Sequence, residues 1–134
     1  MKTEGSVRFV VTGAPVPKAR PRMNRKTGNV YTPKTTLDFE GQVAIAAGQA
    51  GLVLVPKQLY VVTCWFCITS KRPDLDNLLK SVLDGLQQYG HQYGWNDKQV
   101  AAIHAYMLWA DNWRQKTVVE VGPVETLTLE GDAA

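Results

Sequence analysis

Asp74 and Asp76 stand one residue apart in the stretch KRPDLDNLLKSVLDGL, between a basic pair and an apolar run. Two carboxylates about 4 Å apart repel by on the order of 4 kcal/mol at an effective dielectric near 20. In an extended segment residues two apart share a side, and Arg72, which precedes Pro73, is biased toward extended backbone. A third acid, Asp97, occurs in GWNDKQV just before a β-prone run. If a sheet returns Asp97 beside Asp74 and Asp76, the three need a cation to offset their repulsion. Oxygen donors without His or Cys suit a hard ion, Mg²⁺ above all, with Mn²⁺ able to substitute. Such ions polarise a phosphodiester and activate water for in-line attack.

The same residues also fit a plainer structural account. Asp76 can cap a helix, and Asp74 can pair with Lys71 or Arg72. Lys80, four residues after Asp76, can form a helix-surface ion pair of about 0.3–0.5 kcal/mol. Asp84, four residues further on, continues that stripe.

Charge is distributed unevenly. Residues 1–36 carry eight basic side chains against one acid, and residues 37–134 carry seven against eleven, within a net charge of +3. Lys18, Arg20, Arg22, Arg25, Lys26 and Lys34 fall in 17 residues free of acid, on a segment punctuated by prolines. Proline spacing preorders these cations for phosphate contact, and Tyr31 offers a ring for stacking on a base or sugar. A basic loop alone implies only binding, and acids alone serve many phosphohydrolases. Together they point to a nuclease.

The elements that must position these groups follow from pattern. Ser6–Gly13 reads as a strand, followed by a long Pro- and Gly-punctuated loop from Ala14 to Lys34. Thr35 or Thr36 is expected to cap a helix to about Ala50, with Asp38 and Glu40 in its first turn. Leu59–Thr69 is a second strand. Leu78, Leu79, Val82, Leu83 and Leu86 recur at helical spacing, giving a helix that Gly90 can end. Val100–Trp109 and Thr117–Val121 are two further strands, expected as a hairpin around ADNWRQ. Residues 125–134 read as a frayed tail. The order β-α-β-α-β-β predicts one α+β domain spanning residues 1–134, its mixed sheet covered mainly on one side by two helices.

With 134 residues and 45% hydrophobic content, the chain can bury a core without metal or disulfide staples. No secretory signal and no membrane-length apolar run is present, so the expected address is the cytoplasm. Cys64 and Cys67 have CxxC spacing but sit in the β-prone VVTCWFCITS, where residues three apart face opposite ways. They are expected as buried strand cysteines. His104 reads as a structural strand histidine. His91 and Trp95 lie on the loop before Asp97 and are given no role in the site.

Taken in order, PVPKARPR, YTPK, RPDLDNLLKSVLDGL and NDKQV resemble the RusA-type Holliday junction resolvases, small metal-dependent endonucleases common in phages and prophages. The resemblance covers about residues 7–121. It implies that Asp74, Asp76 and Asp97 gather Mg²⁺ and that Lys80 positions the scissile phosphate or stabilises its developing charge. It further implies that Lys71 and Arg72 contact the DNA backbone near the cut. Where some members have two adjacent acids before Q-V, this chain has Asn96 and Asp97, so ligation is assigned to Asp97, with Asn96 in support. The family acts as a homodimer, and a two-fold dimer suits the two equivalent strands of a four-way junction. The expected activity is therefore paired symmetric incision of branched DNA in recombination and repair. The rival readings are a metal nuclease for flaps, forks or RNA and a non-catalytic nucleic-acid-binding protein.

Overall fold

The computed structural model describes residues 5–69 and 73–124. Strand β1 (Val7–Thr12) is followed by a two-stranded arm, β2 (Arg22–Met23) and β3 (Val30–Tyr31). Next come helix α1 (Lys34–Gln49), strand β4 (Tyr60–Ile68) and helix α2 (Leu75–Gly90), then β5 (Val100–Trp109) and β6 (Lys116–Pro123). The main sheet has the order β1-β6-β4-β5, with β4 and β5 parallel and the other pairs antiparallel. The expected α+β fold with a mixed sheet and two helices is the observed one.

Alternation along the strands creates one apolar face. Phe9 and Val11 of β1, Val62, Cys64, Phe66 and Ile68 of β4, and Val119 and Val121 of β6 are buried on it. The helices cover that face with Phe39, Val43 and Ala47 of α1 and Leu78, Val82 and Leu86 of α2. Each set recurs at i, i+4 and i+8, one stripe of a helix. The two helices approach closely at Gly85, where a Cβ would lie 2.7 Å from Val43 Cβ and 2.9 Å from Glu40 O.

The last two strands do not form the expected hairpin. Chain reversal after Trp109 carries β6 past β5 to the far side of β4, where it pairs with both β4 and β1. Burial explains the order: Thr117, Val119, Val121 and Gly122 are buried, as a central strand requires, whereas much of β5 stays exposed at the edge. The long loop likewise contains structure that the spacing did not suggest. Asn24 N–H donates to Asn29 O at 2.8 Å and Asn24 Oδ1 accepts from Lys26 N–H at 2.9 Å, closing the tip of the β2–β3 arm.

Helix boundaries also differ. Pro33, not Thr35 or Thr36, is the N-cap of α1, and neither Asp38 nor Glu40 lies in its first turn. Thr36 and Leu37 N–H donate to Pro33 O at 3.1 and 3.2 Å, so the chain enters the helix early and Thr36 turns into the core. Helix α2 does end at Gly90 as expected, but the left-handed residue is Gly94 (φ 72°), which closes the short helical turn His91–Tyr93. Gly90 instead makes room for Trp95, whose Cε3 would lie 2.5 Å from an added Cβ. Cys64 is buried and Cys67 half-buried on opposite faces of β4, both as free thiols. Burial pushes the Cys64 thiol up to about 12. The proposed frayed tail, residues 125–134, lies outside the described residues.

Candidate active site

Asp74 is the extended residue (φ −67°, ψ 130°) on which α2 starts, and its carbonyl accepts Leu78 N–H at 3.1 Å. Its carboxylate makes no capping bond, and Asp76 lies in the first turn. Both side chains are exposed. Among the described residues Asp74 Oδ2 receives only a long 3.5 Å bond from Asn77 Nδ2, and Asp76 Oδ1 accepts Asn77 N–H at 3.0 Å. The carboxylates thus sit at the positive end of a helix, which offsets part of their repulsion, with most of their oxygen lone pairs unused by the described residues. The helix-capping account explains Asp74's backbone but not its carboxylate. Its possible partners Lys71 and Arg72 lie outside the described residues.

Asn77 ties this turn together and was overlooked in the sequence. Besides holding both aspartates, its carbonyl accepts Ser81 Oγ at 3.2 Å and Lys18 N–H at 2.8 Å. Its place three residues after Asp74 and beside Asp76 was the available signal. Lys80 is exposed on the next turn, and among the described residues it has no ion-pair partner. The expected Asp76–Lys80–Asp84 stripe is not formed, because Asp84 is taken by another cation.

That cation is Lys18. Its Nζ lies 2.8 Å from Glu40 Oε2 and 2.9 Å from Asp84 Oδ2, and its side chain is only 20% exposed. Partial burial lowers the Lys18 pKa, but the hydrogen bonds it donates to Glu40 and Asp84, with their charges, outweigh it and leave the pKa raised above 10.5. Read in sequence as a phosphate contact, Lys18 is here a clamp holding the start of the basic loop to α1 and α2. Glu40 and Asp84 gave no sign of it, since the triad depends on the close helix crossing at Gly85.

Beyond the clamp the basic arm projects. Arg20, Arg22, Arg25 and Lys26 are exposed, and among the described residues none is in an ion pair. Arg22 pairs in register with Tyr31, itself 48% exposed. Lys34 bonds Asp38 at 3.1 Å, one turn along α1, and both side chains are exposed.

Asp97 does not join Asp74 and Asp76 within one chain. Because β5 runs parallel to β4, its start pairs with the start of β4 (Tyr60 with Val100), whereas the aspartates follow the end of β4. Asp97 N–H donates to Gln87 Oε1 at 3.4 Å. Gln87 lies eleven residues beyond Asp76, about 16 Å along the axis of α2. Among the described residues no group of three or more His, Cys, Asp or Glu side chains is placed to share a metal ion. Asn96 caps the short turn Asp97–Gln99, its Oδ1 accepting Lys98 N–H at 2.9 Å. Trp95 is 2% exposed and meets Tyr60 edge-on, a packing residue. His91 and His104 are exposed and outside the aspartate turn.

A carboxylate pair at a helix start, lightly bonded among the described residues and tied through Asn77 and Lys18 to an exposed basic arm, suits a protein that handles phosphodiesters of nucleic acids. The family model of endodeoxyribonuclease RusA matches residues 12–122. The chain belongs to this family of Holliday junction resolvases and is an endodeoxyribonuclease. No curated protein matches it. RusA-type nucleases depend on a divalent metal, and the exposed, oxygen-only pair Asp74 and Asp76 fits one, since Mg²⁺ is commonly held by one or two carboxylates plus waters and substrate phosphate. Among the described residues no helix is long and apolar enough to cross a membrane.

Proposed function

We propose that the protein is a Mg²⁺-dependent endonuclease that cuts four-way DNA junctions by paired, symmetric incisions, acting in cytoplasmic recombination and repair. The observation that carries this reading is the Asp74–Asp76 pair, lightly bonded among the described residues, beside the tethered basic arm. Asp74 and Asp76 hold the ion, which when bound supplies a Lewis acid for the scissile phosphate and lowers the pKa of attacking water. Asn77 fixes the carboxylates. Lys80, one turn along α2 and without an ion-pair partner among the described residues, offers positive charge to the phosphate as negative charge develops on it. Arg20, Arg22, Arg25 and Lys26 bind phosphates along the DNA arm, Lys34 adds charge at the arm's base, and Lys71 and Arg72 contact backbone near the cut.

The place of Asp97 argues for a dimer in which each site draws on both chains. Strand β5 is the sheet edge adjoining β4, and Ile103, Tyr106, Leu108 and Trp109 on it are 41–69% exposed. Antiparallel pairing of two β5 strands about a two-fold axis sets the start of one against the end of the other. The partner's Asp97 then approaches the sheet end from which Asp74 and Asp76 depart. Synthetic four-way junctions, linear duplex, flaps, forks and RNA, each with Mg²⁺ and with EDTA, test the activity. Paired symmetric cuts confined to the junction and to Mg²⁺ support the reading. Cuts in flaps or RNA, or Mg²⁺-independent cutting, refute it.

A further inference from the structure

The turn between β5 and β6 closes over the sheet end from which the aspartates depart. Ala110 N–H donates to Ile68 O at 2.7 Å, fixing the turn to the last residue of β4. Gly13 N–H donates to Gln115 O at 3.1 Å, fixing it also to the strand exit that leads into the basic loop. The turn therefore lies between the two segments given to DNA above.

Its side chains match that position. Arg114 and Lys116 line a cavity of about 380 Å³ together with Trp109 and Asp111, leaving the lining cationic by one charge. Trp113 is 75% exposed, and the guanidinium carbon of Arg114 stands 4.2 Å from its ring centroid. A large apolar ring held in water gains nothing for the fold, and here it is backed on one face by a cation that is not in an ion pair with any described acid. In continuous duplex both faces of each base are covered by neighbours. At a branch point a base can lose a neighbour, and an indole can take its place.

We propose that Trp113, backed by Arg114, is a stacking platform for an unstacked base at the DNA branch point, with Lys116 contacting adjoining phosphate. The inference rests on the junction-cutting reading and adds to it a residue that selects branched over continuous DNA. The sequence reading gave these residues no role beyond a turn.

The test is junction binding by the full-length protein in EDTA, with 2-aminopurine placed at the branch point and linear duplex as control. Trp113→Ala is expected to weaken junction binding about five- to 150-fold, the range for loss of one stacked base, and duplex binding far less. The 2-aminopurine emission should change on binding of the wild type and of Trp113→Phe but not of Trp113→Ala. An exposed side chain can be removed without unfolding the chain, which circular dichroism checks. Equal junction affinity and equal emission response for wild type and Trp113→Ala would overturn the proposal while leaving the junction reading intact. Loss of dimerisation in Trp113→Ala, by sedimentation, would also overturn it and assign the ring to a protein interface. A wild-type protein with no preference for the junction over duplex would overturn both.

Discussion

A mixture of Asp74→Asn and Asp97→Asn chains is expected to cut junctions although neither variant cuts alone. The two residues sit at opposite ends of the sheet in one chain, with about 16 Å of helix axis separating Asp76 from Gln87, the neighbour of Asp97. Carboxylates that share a Mg²⁺ ion stand within about 2.1 Å of it, so an ion on Asp74 and Asp76 cannot also bind Asp97 of the same chain. If each site takes Asp97 from the partner, a mixed dimer contains one site with every acid intact and one lacking two. Random reassortment of equal amounts makes about half the dimers mixed, so about a quarter of wild-type sites are restored. The assay is cleavage of end-labelled junctions after the two variants are co-refolded or exchanged. The product also carries information: one working site per dimer nicks one strand, so nicked junctions should accumulate in place of resolved duplexes. A mixture as inactive as its components, with exchange verified by mass-tagged subunits, refutes assembly of the site across the dimer.

Four further outcomes follow from the packing and charge of the fold. Lys18→Ala should cost about 3 kcal/mol in urea unfolding, because it strands the buried Glu40 carboxylate, while leaving the salt dependence of junction binding unchanged; Arg20→Ala should leave stability unchanged and lower that salt slope by about one unit. Gly85→Val should destabilise the chain by about 1–3 kcal/mol or more, since even a Cβ meets Val43 at 2.7 Å; thermal melts check this, and a wild-type melting temperature would refute the close crossing. In alkali the unfolded chain loses the Cys64 proton near its ordinary value of 9.0, whereas burial holds it in the fold to about 12, so stability falls as pH rises above 9. Cys64→Val should flatten that decline in a pH series of unfolding curves, and an unchanged slope would show that the thiol is not sequestered.

Much of the frame was legible because it is local. Leu78, Val82 and Leu86 mark their helix by spacing, and the alternation in Tyr60–Ile68 marks a strand with one face in the core. Strand order is not local: nothing in ADNWRQ distinguishes a hairpin from a chain that crosses to the far side of β4. The helix start was misplaced because Thr35 and Thr36 are better caps than Pro33 by residue type, yet the fixed φ of proline already supplied the turn into α1. The aspartate pair was singled out by its spacing together with the basic loop and the acid before Q-V. Asp97 was expected beside it because the direction of β5 relative to β4 was not readable from either strand. Lys18 looked like its neighbours in the basic loop, and only the meeting of α1 with α2 separates a buried clamp from an exposed phosphate contact.

The central place of β6 also governs when the molecule can exist. Among the described residues β1 pairs in the sheet only with β6, so β1 waits for that partner until residues 116–123 have been synthesised. Until then both β1 and β4 present open hydrogen-bonding edges, and the apolar stripe of α1 has only half a sheet to cover. The sheet that carries the aspartate turn therefore closes late, when residues 116–123 slot between two strands made long before them.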